Sequence, residues 1–285
     1  MLEKLYENQI KIALIFGAAI AVFLLIETTF SERRDVSAVY IGNSNMEISM
    51  ISNFINNIAK SSEQEKDSFF IKPQTGVQLS LSNHLNHSEP GKLLAKDEWD
   101  YIFLQEHGIE TLSYEGIDRL ASVINNLSKI ADPTNSELIM VSTWPEQQDH
   151  PVYGWQPGTQ YERPESPESM NQRIEDANRY IANINNLDIV PVGSAFEKAR
   201  TDVPAFQLYL ETPQSDSNNV SRPSLHGIYL TALMIYDYLS DVPLSSVTYV
   251  PEGLSREDVE NLKRIAVQMS RRPEKLAGLS SVTSQ

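Results

Sequence analysis

From residue 35 onward the chain alternates short apolar runs with longer stretches whose apolar positions recur every three or four residues. The runs at 37–41, 68–71, 101–104, 138–141 and 189–192 are predicted as strands. Between them, Ile48, Ile51, Ile55 and Ile58 share one face of a helix predicted over 47–59, and 115–130, 169–184, 225–239 and 255–270 show similar spacing. Strands that take turns with helices build βα units, so the pattern predicts an α/β domain with a mostly parallel sheet covered on both faces. In open sheets of that kind ligands bind at the carboxyl ends of the strands.

Two stretches break the rhythm. Residues 12–26 are uninterrupted apolar or small, with Lys4 and Lys11 before them and Glu27 after. That length is short for a spanning helix and suits a signal-peptide core, yet no small-x-small cleavage pattern follows in 27–32. The segment is expected to stay on the chain and hold it to a membrane; a buried core helix is the alternative. Arg33 and Arg34 offset the two lysines, which weakens the charge argument for orientation. The expectation is a cytoplasmic N-terminus with the folded domain periplasmic or extracellular. The second stretch, 143–166, combines Pro145, Pro151, Pro157 and Pro164 with Trp144, Tyr153, Trp155 and Tyr161. It reads either as an aromatic lid or sugar-stacking platform, with Trp144 and Trp155 as binding residues, or as aromatics packing an insertion onto the domain. The domain plan is therefore 1–34 as anchor or uncleaved signal with a linker, 35–275 as the folded domain, and 276–285 as a flexible polar tail.

Composition narrows the function classes. The 285 residues suffice for one large α/β domain with a full core. A net charge of −15 leaves no electrostatic footprint for nucleic acid, so no DNA or RNA partner is expected. The absence of cysteine rules out disulfides, thiol nucleophiles and thiolate metal sites, and is compatible with any compartment.

The chemistry-bearing residues fall at predicted strand ends. Val39-Tyr40-Ile41-Gly42-Asn43-Ser44 closes the first strand just before a helical pattern, which puts the Ser44 hydroxyl on a tight turn facing a helix N-terminus. Gly-Asn-Ser also makes ordinary turns. After the second strand, Gly76 lets a backbone N–H approach a ligand closely. The third strand runs Trp99-Asp100-Tyr101-Ile102-Phe103-Leu104-Gln105-Glu106-His107, and later come Pro191-Val192-Gly193-Ser194-Ala195 and Arg222-Pro223-Ser224-Leu225-His226-Gly227.

In that order these blocks resemble the SGNH/GDSL hydrolases, over 36–243. The resemblance implies a three-layer αβα sandwich with a flavodoxin-like five-stranded sheet and serine ester hydrolysis without a cofactor. Substrates would be small-molecule or polysaccharide acyl esters, since exported members often act on acetylated carbohydrates. It makes Ser44 the nucleophile, and gives the backbone N–H groups of Ser44 and Gly76 and the Gln105 amide to the oxyanion hole. It also exposes a departure. Where the family has Asp-x-x-His-Pro-Ser-x-x-Gly, this chain has Asn219 in the Asp position and Arg222 in the His position. A guanidinium stays protonated and cannot take the serine proton, and an asparagine carries no charge to steady an imidazolium.

Three readings stay open. An active hydrolase would need a relocated base, His226 with Asp216 upstream or else His107. A pseudoenzyme would keep the pocket and use Arg222, beside Asn219, to bind an anionic saccharide. A metal site through His84 and His87 lacks an evident third ligand.

Overall fold

The computed structural model describes residues 34–43, 48–76, 80–81, 94, 99–131, 135–153, 163–210 and 221–270. The chain divides into two units, 1–34 and 35–285, and the second carries the fold. The expected anchor at 12–26, the tail, His84 and His87 lie outside the described residues. Among those residues no helix is long and apolar enough to cross a membrane.

Five strands, β1 (Asp35–Asn43), β2 (Ser68–Gly76), β3 (Tyr101–Leu104), β4 (Glu137–Val141) and β5 (Asp188–Val190), form one sheet in the order β2-β1-β3-β4-β5. Every pairing is parallel. Among the described residues six helices of eleven or more residues flank it: α1 (Ile48–Lys60), α2 (Tyr114–Ala131), α3 (Pro167–Asn185), α4 (Val192–Asp202), α5 (Leu225–Leu239) and α6 (Arg256–Met269). This is the doubly wound three-layer arrangement that the alternating pattern predicts.

Alternate residues of β1 feed opposite cores, which is why its central run, 38–41, is apolar without a break. Val36, Ala38 and Tyr40 join Ile51, Ile55 and Ile58 of α1, with α4, α5 and α6, in the larger core. Val39 and Ile41 face the other way, onto Leu120, Ile124 and Leu127 of α2 and Ile181 of α3.

Two elements depart from the sequence reading. β2 runs on through Pro73 to Gly76, instead of ending near residue 71. Among the described strands β2 stands at the edge of the sheet, next to β1, and an edge strand tolerates a proline without an N–H. The second is α4, which no sequence signal announced; it begins directly after Pro191, where a strand end was expected. The helix packs tightly onto the end of β4 through Gly193, whose N–H donates to Ser142 Oγ (3.1 Å). A Cβ at Gly193 would stand 2.2 Å from the carbonyl oxygen of Thr143.

Candidate active site

The strand register sets the rim. Asn43, the last residue of β1, pairs with Gly76, the last residue of β2. On the other side of β1, the N–H of Gln105 donates to the Ile41 carbonyl (3.0 Å), and a Cβ on Gly42 would lie 3.2 Å from the Gln105 Cβ. The chain leaving β1 towards Ser44 is thus flanked by Gly76 and by Gln105. Ser44 itself lies outside the described residues, as do Asn219, Asp216 and Trp155.

Gln105 is fully buried. Its Nε2 donates to Thr143 Oγ1 (3.3 Å), while its Oε1 has no hydrogen-bond partner among the described residues. An unsatisfied buried amide atom costs about 1–3 kcal/mol, and at a strand end it marks a polar group held ready for something else. Next to it, Glu106 accepts from the N–H of His107 at Oε1 (2.7 Å) and from the N–H of Leu81 at Oε2 (3.0 Å). Burial pushes its carboxyl up to about 7, against the lowering effect of those two N–H groups. Glu106 therefore ties the chain beyond Gly76 to the end of β3.

His107 caps the short 3-10 helix Gly108–Leu112, accepting the Ile109 N–H at Nδ1 (3.3 Å). Burial lowers its pKa, so the ring is neutral at pH 7, and with Nδ1 accepting, the proton sits on Nε2. That tautomer can donate from Nε2; it cannot take a proton there.

His226 lies in the first turn of α5, whose N-cap Ser224 accepts from the Gly227 N–H. Its ring rests on Phe206, with centroids 4.9 Å apart, and Nε2 stands 3.8 Å from Asp258 Oδ2 in the first turn of α6. Asp258 also accepts from the Ser255 N–H and hydroxyl, contacts that hold its carboxyl below the usual range with help from His226. Gly253, two residues before Ser255, stands against Leu225, so α5 and α6 begin side by side. Sequence reasoning looked upstream for a carboxyl partner, to Asp216, which lies outside the described residues; among the described residues the carboxyl beside His226 is that of Asp258. The signal available was the Ser255-x-x-Asp258 capping box, which fixes where that carboxyl stands but not what it faces.

Arg222 sits in the loop ahead of α5 and is exposed. The residue before it is gripped from three sides: Ser221 donates its N–H to Glu146 Oε2 (2.9 Å), its carbonyl accepts from Trp144 Nε1 (3.0 Å), and its hydroxyl accepts from the Gln147 N–H (2.7 Å). The Arg222 carbonyl accepts from the Leu210 N–H (2.9 Å). Helix α5 therefore starts at Leu225 with Arg222 before it and His226 within it.

Of the two readings left open for 143–166, Trp144 fits the second, an aromatic packed onto the domain, and not the exposed stacking platform. It is 4% exposed and its ring stacks on Phe196 of α4, with centroids 4.8 Å apart and planes 14° from parallel. Both faces of its role are internal: an apolar ring in the core and an N–H spent on Ser221. Glu146, which the sequence reading overlooked, is buried beside it, with His150 Nε2 3.9 Å from Glu146 Oε2.

No protein-family model matches the chain, and no curated protein matches it closely enough to be significant. Solved structures do. A DUF4886 family protein from Bacteroides uniformis superposes with a TM-score of 0.66 at 18% identity, over 81% of this chain and 93% of that one. A proposed SGNH hydrolase from Slackia heliotrinireducens gives 0.55 at 17% identity, over 72% of this chain and all of the other. An acetyl xylan esterase, AlAXEase, gives 0.50 at 10% identity, over 72% and 100%. At such identities the likeness is one of fold. The chain has the three-layer α/β/α fold of SGNH hydrolases.

Proposed function

We propose that this SGNH-fold chain is a serine ester hydrolase that removes acyl groups from saccharides. The observation that carries the reading is the His226–Asp258 pair at the start of α5, a histidine with a carboxyl beside it in a chain whose expected Asp and His positions hold Asn219 and Arg222. In the proposed mechanism Ser44 attacks the ester carbonyl while His226 takes the hydroxyl proton. With Nε2 turned to Asp258, Nδ1 is the accepting nitrogen. The oxyanion is held by the N–H groups of Ser44 and Gly76; from Gln105 only the second Nε2 hydrogen could add to them, the first going to Thr143. His226 then returns the proton to the departing alcohol, and water, activated by the same ring, hydrolyses the acyl-enzyme. The saccharide part of the reading is supported by the fold shared with an acetyl xylan esterase, a support of fold alone.

A second reading has its own observation. Arg222 is fastened in the loop just ahead of α5, where the resemblance places the base, and a guanidinium there suits an anion and not proton transfer. On that reading the site binds an anionic saccharide without turning it over.

Hydrolysis of p-nitrophenyl acetate separates the two. The hydrolase reading expects Ser44→Ala and His226→Ala each to lose roughly 10³-fold or more, and Asp258→Asn to lose a large part of that. Wild-type rates no higher than those of Ser44→Ala would overturn it. The double change Asn219→Asp with Arg222→His adds a further check: it should add little to an enzyme already served by His226, and should create activity in a binding protein.

A further inference from the structure

Away from the strand-end rim, the start of α2 and the outer face of α3 enclose a groove of about 600 Å³. One end is lined by Thr111 and Leu112, the last residues of the 3-10 helix Gly108–Leu112, which follows Glu106 and His107 in sequence. Its floor is apolar, through Ile117 and the buried Ala177. Its walls carry Tyr114, which is 90% exposed, and Tyr180, which is 52% exposed. Neither ring belongs to a hydrophobic cluster of the described residues. Ser113 Oγ accepts from the Gly116 N–H at the helix start, and Tyr180 projects from the solvent side of α3. Single exposed aromatics are ordinary, but two that line one groove over an apolar floor form a patch that a ligand would cover.

The polar lining says which ligand. Arg173, Asp118 and Asp176 line it together, so the groove carries both signs of charge and no cationic surplus for a phosphate or uronate. The net charge of −15 opposes polyanions further. Aromatic faces with carboxyl and guanidinium groups between them match a neutral pyranose chain, whose C–H faces stack on tyrosine while its hydroxyls meet the charged groups.

We propose that this groove is a binding subsite for a neutral oligosaccharide, holding the sugar chain whose acyl group is presented at the rim. The inference rests on the saccharide reading given above, and its test uses deacylated sugars so that binding is measured apart from turnover. Xylohexaose, cellohexaose and chitohexaose are titrated calorimetrically into the full chain, into Tyr114→Ala, Tyr180→Ala and into Ser44→Ala. At least one of the three sugars is expected to bind, with affinity lowered tenfold or more in each tyrosine variant and unchanged in Ser44→Ala, while the tyrosine variants keep wild-type p-nitrophenyl acetate rates. Equal affinity in wild type and both tyrosine variants overturns the subsite, and so does binding of none of the three sugars. Failure of the hydrolase reading looks different: no ester turnover in wild type, with sugar binding that still depends on Tyr114 and Tyr180.

Discussion

At the level of single residues, the rim depends on atoms that leave no room for a side chain. Gly193→Ala places a methyl 2.2 Å from the Thr143 carbonyl and 2.9 Å from Asn171 Oδ1, and neither backbone nor buried amide can retreat easily. The substitution should destabilise the protein by about 3 kcal/mol or more, read as a fall in thermal midpoint, and should disturb Thr143, the partner of Gln105 Nε2. A midpoint equal to wild type would contradict that packing. The place of Gln105 was legible in the sequence because it follows a strand, 101–104, whose end the pattern gives, whereas the pattern stopped the second strand near residue 71 and so left Gly76 outside it. The sequence left Asp258 and Glu146 invisible because their roles come from contacts far along the chain, His226 in one case and Ser221 in the other. Trp144 teaches the converse. A tryptophan in a proline-rich stretch reads equally as a stacking surface or as packing, and its contact with Phe196 decides for packing.

At the level of elements, the segment that launches α5 is held by what surrounds it. Ser221 bonds to Glu146, Trp144 and Gln147, Ser224 Oγ donates to the Gln207 carbonyl, and Gly227 lets the helix come close to the Leu208 carbonyl, 2.6 Å from where a Cβ would stand. Glu146→Ala should leave the Ser221 N–H buried without an acceptor, at a cost of about 1–3 kcal/mol. Hydrogen exchange at Ser221 should speed up in that variant, while amides in the middle of α5 change no more than the global loss demands. If Ser221 exchanged as slowly as before, the anchoring role would fall. Periodicity found α5 residue for residue and five of the six helices within a few positions, since each buries an apolar face. It missed α4 because Pro191-Val192-Gly193 reads as a strand end and turn, and the glycine is there for close approach to β4, a tertiary demand with no local signature.

At the level of the whole molecule, topology was the most legible property, because strands apolar on both faces and separated by helices have few other ways to fold. What the pattern could not convey is how a chain so rich in acidic groups buries some of them, and Glu106 gives this a measurable consequence. Its folded carboxyl keeps its proton to about pH 7, whereas an unfolded one loses it near 4.5, so between those values the folded state binds more protons than the unfolded. The contribution of Glu106 is therefore complete below the unfolded value and is lost as pH rises through about 7, to the extent of roughly 3 kcal/mol. His107 acts in the opposite sense. Burial lowers its pKa, so its contribution is lost as pH falls below the ordinary histidine value of 6.5. Glu106→Gln should shift stability by a constant amount, because an amide cannot accept both N–H groups that Glu106 accepts, and should in addition remove the decline between pH 4.5 and 8 while leaving the acid-side decline of His107 in place. Denaturant unfolding at intervals across that range checks this. A wild-type–variant difference that does not vary with pH would show that the Glu106 carboxyl ionises normally in the folded protein, and the tie between Leu81 and the end of β3 would then be that of an ordinary exposed acid.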